Sequence, residues 1–144
     1  MENKNVQIDI GCGKNRHKGF VGIDIDKEVN PDIVASALDL PFQNDSVDEV
    51  VSTHLVEHFI PEDAQQFFTE IYRVLKEGGE AKIKVDKDWY KKRLMAKDPT
   101  HKYRYTEKEL LNMVTNFSKK EVIDKIYFLH FYQPRRKIFI SLVK

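Results

Sequence analysis

Two glycines follow directly on a short β-branched run, and the next strand-ending acid arrives too soon for a helix to fit between them. Val6 to Ile10 (VQIDI) runs into Gly11-Cys12-Gly13, and only ten residues separate Gly13 from Asp24, the end of a second apolar run, Phe20 to Asp24 (FVGID). Both runs read as strands. A parallel crossover normally takes a dozen or more residues and a helix, so Gly11 to Gly19 (GCGKNRHKG) predicts a helix missing or reduced to a turn. Lys27 to Pro31 and Phe42 to Val47 are likewise too short for full helices. The expected core is trimmed, with helices mainly on one side.

Further along, Asp32 to Ser36 and Asp48 to Thr53 read as a weaker third and a stronger fourth strand. Pro61 opens a helix whose apolar face is Ala64, Phe67, Phe68, Ile71, Tyr72 and Leu75, with Gly78 and Gly79 expected to stop it. Ala81 to Val85 alternates apolar residues with Lys82 and Lys84, which predicts a strand with one wet face. Thr106 and Glu109 have capping-box spacing ahead of Leu110, Leu111, Val114 and Phe117. Val122 to Phe131 and Lys137 to Val143, joined through Gln133-Pro134-Arg135, read as a terminal antiparallel hairpin. This order is an α/β pattern, and the length fits one domain, residues 1–144.

A trimmed sheet leaves a face bare. The expectation is that Trp89, Tyr90, Leu94 and Met95 fold over it, or that a second copy or a protein partner does. Cys12 is the single cysteine, which excludes an internal disulfide. No apolar stretch approaches the roughly 20 residues of a membrane span, so a cytoplasmic location is expected, with no membrane partner. Residues 1–80 hold 7 Lys and Arg against 16 Asp and Glu, and residues 81–144 hold 17 against 7. The basic half fits solvated faces or an anionic partner.

The chemistry concentrates at the predicted strand ends. Gly11 and Gly13 let the backbone turn sharply and let a ligand approach without a Cβ in the way. A carboxylate at Asp24 can take both hydroxyls of a ribose. Asp39, with its apolar neighbour Leu40, stands where an adenine could be held. Asp9 also suits the capping of loop amides. In open α/β sheets ligands bind at the carboxyl ends of strands, where all these groups fall.

The strings DIGCG, VGIDID, ALDLPFQNDSVDEVVSTHLVEH and EIYRVLKEGG carry a resemblance to the class I S-adenosylmethionine-dependent methyltransferases, in particular the methyltransferase type 11 group, over about residues 6–86. DPTHKYRYT resembles a later loop of that family. The resemblance implies a Rossmann-like methyltransferase sheet, mostly parallel with a C-terminal antiparallel hairpin and reduced helices after the first strands. It also implies S-adenosylmethionine as cofactor. Asp9, Gly11 and Gly13 would hold its methionine end, Asp24 its ribose, and Asp39 with Leu40 its adenine. His54 would border the methyl group, and Cys12 and Ile25 complete the expected cofactor contacts.

Other readings stand beside these. His54-x-x-Glu57-His58 matches an inverted zinc-protease spacing, but that motif needs a helix and a third ligand; lining the cofactor site is preferred and no metal is expected. Cys12 reads as a packing residue rather than a nucleophile. Lys87 to Thr106 mixes basic residues with Trp89, Tyr90, Tyr103 and Tyr105, which fits a lid over a small acceptor ahead of a nucleic-acid surface. Glu57, His58 and His101 join that acceptor region. The expected activity is methyl transfer by direct displacement to an acceptor of unknown identity. His54 ranks first as a general base, ahead of His58 and His101. The competing readings are a non-catalytic cofactor-binding or partner subunit and an RNA-binding module.

Overall fold

The structure is a computed structural model that describes residues 5–87, 99–129 and 133–144. Trp89, Tyr90, Leu94 and Met95 lie outside the described residues. Seven strands form one sheet: β1 (Gln7–Ile10), β2 (Val21–Asp24), β3 (Ile33–Val34), β4 (Val47–Thr53), β5 (Leu75–Lys87), β6 (Lys119–Leu129) and β7 (Gln133–Val143). Their spatial order is β3-β2-β1-β4-β5-β7-β6. The first five pair in parallel, and β7 runs antiparallel between β5 and β6, which gives the predicted closing hairpin. The strand order reverses between β1 and β4, and such a switch point opens a ligand crevice at the carboxyl ends.

No helix forms between β1 and β2. Three polar anchors hold this short crossover instead. The carboxylate of Asp9 accepts the main-chain N–H of His17 at 2.8 Å and lies 2.8 Å from its Nδ1. Arg16 pairs with Asp32, and Asp32 Oδ2 accepts the Gly22 amide at 2.8 Å. Gly22 leaves room for this closure, because a Cβ there would stand 2.9 Å from Cys12 Sγ.

Helix α1 (Pro61–Val74) starts with proline at its first turn, where the missing N–H has no partner to lose, and with Glu62 and Asp63 against the positive helix end. Ala64, Phe67, Phe68, Ile71 and Val74 enter the core. The helix ends before the predicted glycine stop, and Leu75 is already the first residue of β5, paired with Val47. The turn before β4 explains this early end: the amides of Asp45 and Ser46 take the carbonyls of Arg73 and Val74 at 3.1 and 2.9 Å. Helix α2 (Glu107–Met113) carries the predicted capping box, with Glu109 accepting the Thr106 amide at 2.8 Å. Leu110, Val114 and Phe117 are buried, while Leu111 stays exposed. None of the described helices is long and apolar enough to cross a membrane.

Both helices cover one face of the sheet, where Ile8, Val50, Ala81, Ile83, Ile140 and Leu142 meet Phe67, Ile71 and Leu110. The register places Gln7, Glu49, Lys82, Lys84 and Ser141 on the other face, together with Val51 and Phe139. The sequence reading expects exposed apolar residues on the bare face, and this face carries half-buried Ile123 and Phe139 beside charged pairs. Gln7 donates to Glu49 at 2.7 Å, Lys82 pairs with Glu49 at 2.9 Å, and the ammonium groups of Lys84 and Lys125 stand 5.8 and 5.5 Å from the centre of the Phe139 ring. A charged, hydrated face is how a half-covered sheet remains in water.

Candidate functional site

At the end of β1 the chain turns back under β2, with the Gly11 and Cys12 amides both donating to the Ile23 carbonyl at 2.8 and 3.2 Å. Gly11 and Gly13 have φ of 68° and 53°, a region that costs an L side chain about 1–2 kcal/mol. Gly11 also has a close neighbour, since a Cβ there would lie 2.9 Å from Leu55 Cδ2. The loop closes on Asp24, whose Oδ2 accepts the Gly13 amide at 2.9 Å and whose Oδ1 accepts the Asp26 amide at 3.0 Å. A carboxylate has about four acceptor positions, so Asp24 keeps capacity for two more donors.

Above this turn lies a cavity of about 220 Å³, walled by Ile10, Gly11, Ile23, Asp24, Ile25 and the segment Ala35 to Leu38, and bordered by Leu55, His58, Phe59 and Lys102. Ile25 is 74% exposed on its rim. Glycine backbone, strand-end carboxylate and apolar walls therefore converge where the fold predicts a ligand.

Cys12 turns away from the cavity onto Gly22 and is 8% exposed. Burial, then the nearby Asp24 and Asp9 carboxylates, push its thiol up from the ordinary value. The thiolate is the reactive form, so the native protein is expected to react with iodoacetamide at neutral pH much more slowly than the unfolded chain. Equal rates would show the thiol exposed.

His54 follows β4 directly, with φ of 58° and its amide on the Lys84 carbonyl at 2.8 Å. Its Nδ1 lies 3.2 Å from Glu57 Oε1 and 3.4 Å from Asp86 Oδ2, while Nε2 lies 3.0 Å from Lys137 Nζ. An ammonium only donates, so in this arrangement Nε2 accepts and the ring proton on Nδ1 faces the carboxylates. Next to it a 3-10 turn, Val56–His58, buries Glu57 to 1% exposure. Glu57 Oε1 also accepts the Asp86 amide at 3.2 Å, whereas Oε2 is buried without a hydrogen-bond partner among the described residues.

The segment after residue 99 is latched across this turn. The Lys102 and Tyr103 amides donate to the Glu57 carbonyl at 2.9 and 3.3 Å, and the Tyr105 hydroxyl donates to the Phe59 carbonyl at 2.8 Å. Thr100 meets His58 Nδ1 through its carbonyl at 3.2 Å and its hydroxyl at 3.0 Å. The rings of His58 and His101 sit edge to face, 4.8 Å between centroids.

The family described as Methyltransferase domain matches residues 8–83, just over half of the chain. The chain belongs to the methyltransferase domain family. Similarity to solved methyltransferases extends over the whole fold. A SAM-dependent methyltransferase from Archaeoglobus fulgidus superposes with a TM-score of 0.78 at 17% identity, covering 97% of this chain and 86% of that one. One from Methanosarcina mazei gives 0.73 at 20% identity, covering 100% and 94%. Phosphoethanolamine N-methyltransferase 2 of Haemonchus contortus, in complex with S-adenosyl-L-methionine, gives 0.77 at 16% identity; this chain is covered completely and spans 49% of that protein. These likenesses show the class I methyltransferase fold. Among curated proteins no match is found.

Within this methyltransferase domain the structure sorts the expected site residues. Gly11, Asp24 and Ile25 line the cavity together, with Gly13 bonded to Asp24 and Asp9 holding the loop from beneath. Asp39 is exposed and outside the cavity wall, and Leu40 is buried in the core; Ala35, Ser36, Ala37 and Leu38 stand there instead. His54 lies beyond Leu55, in the cluster with Glu57, Asp86 and Lys137, rather than on the cavity wall. His58 reaches the wall, while Tyr103 is tied to Glu109 at 2.7 Å and Tyr105 is 1% exposed, an anchor rather than a lid residue. Trp89 and Tyr90 fall outside the described residues.

Sequence reasoning missed Glu70 and Arg73. Glu70 accepts the Leu40 amide at 2.7 Å, and Arg73 binds Glu70 through Nε and Nη2, both at 2.7 Å. Arg73 also donates to the carbonyls of Phe42 and Leu40 at 2.7 and 2.9 Å. This pair on α1 fixes the segment that continues from the cavity wall. A buried-face acid at Glu70 inside an otherwise apolar helix stripe was the available signal.

Proposed function

We propose that this chain uses S-adenosylmethionine to methylate an acceptor by direct displacement. The observation that carries this reading is the convergence of Gly11, Asp24 and the Ala35 to Leu38 wall around one cavity at the switch point of a methyltransferase fold. Asp24 takes the ribose hydroxyls, and Ile25 and Leu38 flank the adenine, which accounts for a large exposed aliphatic side chain on the rim. The methionine end runs over Gly11 to Gly13, where a Cβ on Gly13 would point into open space. The complex of the Haemonchus contortus relative with S-adenosyl-L-methionine supports the choice of cofactor.

In the reaction the acceptor's lone pair attacks the sulfonium methyl in line, and a neutral thioether leaves as the carbon–sulfur bond breaks. Because the leaving group is neutral, alignment and exclusion of water supply most of the advantage. For a protic acceptor His54 is the histidine at the end of β4, one residue from the cavity wall at Leu55; it accepts a proton at Nε2 once Lys137 has moved aside. We place the whole activity in one domain and favour a small acceptor over RNA.

Incubation with methyl-labelled S-adenosylmethionine and a panel of small hydroxyl, amine and thiol acceptors tests this reading. Label should pass to an acceptor with an equal yield of S-adenosylhomocysteine. Tight cofactor binding with no transfer to any acceptor would favour the non-catalytic subunit.

A further inference from the structure

Glu57 belongs to two groups of potential metal ligands. One is Glu57, His58 and His101; the other is His54, Glu57 and Asp86; in each, one ligand atom per residue lies within 4.8 Å of the others. The second group already holds a cation, since Lys137 Nζ stands 3.0 Å from His54 Nε2 and 3.9 Å from Asp86 Oδ1. An ion placed there would have to displace that ammonium.

The first group differs. Glu57 Oε1 is engaged by His54 and the Asp86 amide, which leaves Oε2, a buried carboxylate oxygen with no hydrogen-bond partner among the described residues, to be satisfied. A desolvated carboxylate oxygen without a partner is costly. His58 presents Nδ1 to the carbonyl of Thr100 at 3.2 Å, and a carbonyl only accepts. The Thr100 hydroxyl lies 3.0 Å from the same nitrogen and can accept as well as donate, so the tautomer with the proton on Nδ1 is compatible with both contacts and leaves the Nε2 lone pair for a metal, the outer-shell arrangement that orients metal-binding histidines. His101 is brought alongside by main-chain bonds, because the next two amides, Lys102 and Tyr103, are both fixed to the Glu57 carbonyl.

We propose that Glu57 Oε2, His58 Nε2 and His101 bind a divalent first-row transition ion of the zinc type. Two imidazoles and a carboxylate are a donor set suited to such ions rather than to magnesium. Three protein ligands leave a further coordination position for water or for a polar group of a bound molecule. The sequence reading set a metal aside because His54 and His58 would need one helix face and a third ligand. In the structure the turn is 3-10, His54 serves the other cluster, and the third ligand comes from His101, 43 positions after His58. The site does not depend on S-adenosylmethionine, so it is tested without it.

The measurement is titration of the metal-stripped full chain with Co²⁺, followed by its visible absorption, and with Zn²⁺, followed by calorimetry. One ion per chain should bind, with the intense bands of four-coordinate cobalt. His101→Ala should lower the affinity by at least about 100-fold, at or beyond the upper end of losses seen for outer-shell changes. Glu57→Gln, isosteric but uncharged, should do the same. Asp86→Asn should leave affinity within about threefold of the parent, with circular dichroism confirming that each variant is folded. Because His101 lies in a loop, its variant decides the matter should Glu57→Gln fail to fold. Absence of stoichiometric binding overturns the proposal, as does affinity lost in Asp86→Asn but kept in His101→Ala.

Discussion

Asp24→Ala should weaken binding of S-adenosylmethionine by about 10- to 150-fold. In the proposed reading the carboxylate receives two ribose hydroxyls, and hydrogen bonds to a charged group contribute about 1.5–3 kcal/mol, with each 1.4 kcal/mol a factor of ten. Part of that loss comes through the loop, because the same carboxylate accepts the amides of Gly13 and Asp26. Asp24→Asn separates the two contributions: it keeps one carbonyl acceptor and much of the loop, yet loses the charge. Calorimetric titration of the folded variants reads the effect. Parent-like affinity in Asp24→Ala would remove Asp24 from the site.

Arg73→Ala should destabilise the fold by about 3 kcal/mol, the lower end of the cost of breaking an ion pair and leaving its partner buried, since Arg73 itself is partly exposed. The guanidinium neutralises Glu70 and holds the carbonyls of Leu40 and Phe42. Hydrogen bonding from Arg73 is the main cause that keeps the Glu70 carboxyl below its ordinary value of 4.5. A carboxylate with a depressed folded pKa contributes stability above its unfolded pKa and loses it as the pH falls through the folded one. The gap between parent and variant should therefore be full at neutral pH and shrink below about pH 4.5. Urea unfolding across that range measures it. A loss under about 1 kcal/mol at pH 7 would show the pair to be a surface contact of ordinary weight.

The sequence spoke most clearly where the physics is local. The Thr106–Glu109 capping box, the proline start of α1 and the alternation of Ala81 to Val85 each need only a few neighbouring residues, and each is found. The missing first helix was legible from counting residues between Gly13 and Asp24. What stayed hidden depends on groups far apart in the chain. Gly78 looks like the end of α1, but pairing of Leu75 with Val47 ends it earlier. Asp39 has the right chemistry for the cavity, yet Glu70 and Arg73 of α1 draw the following Leu40 into the core and leave Ala35 to Leu38 on the wall. No local pattern announces that His101 will lie against His58, because loop contacts with Glu57, His58 and Phe59 bring it there.

In the proposed function the crevice over β1, β2 and β3 holds an adenosine-bearing sulfonium. Equilibrium titration of the purified chain with S-adenosylmethionine, and separately with S-adenosylhomocysteine, tests it most directly. Both should bind at one site per chain and compete with each other, with dissociation constants inside the micromolar-to-millimolar span of enzyme substrates. A folded sample that takes up neither molecule at millimolar concentration would contradict the account.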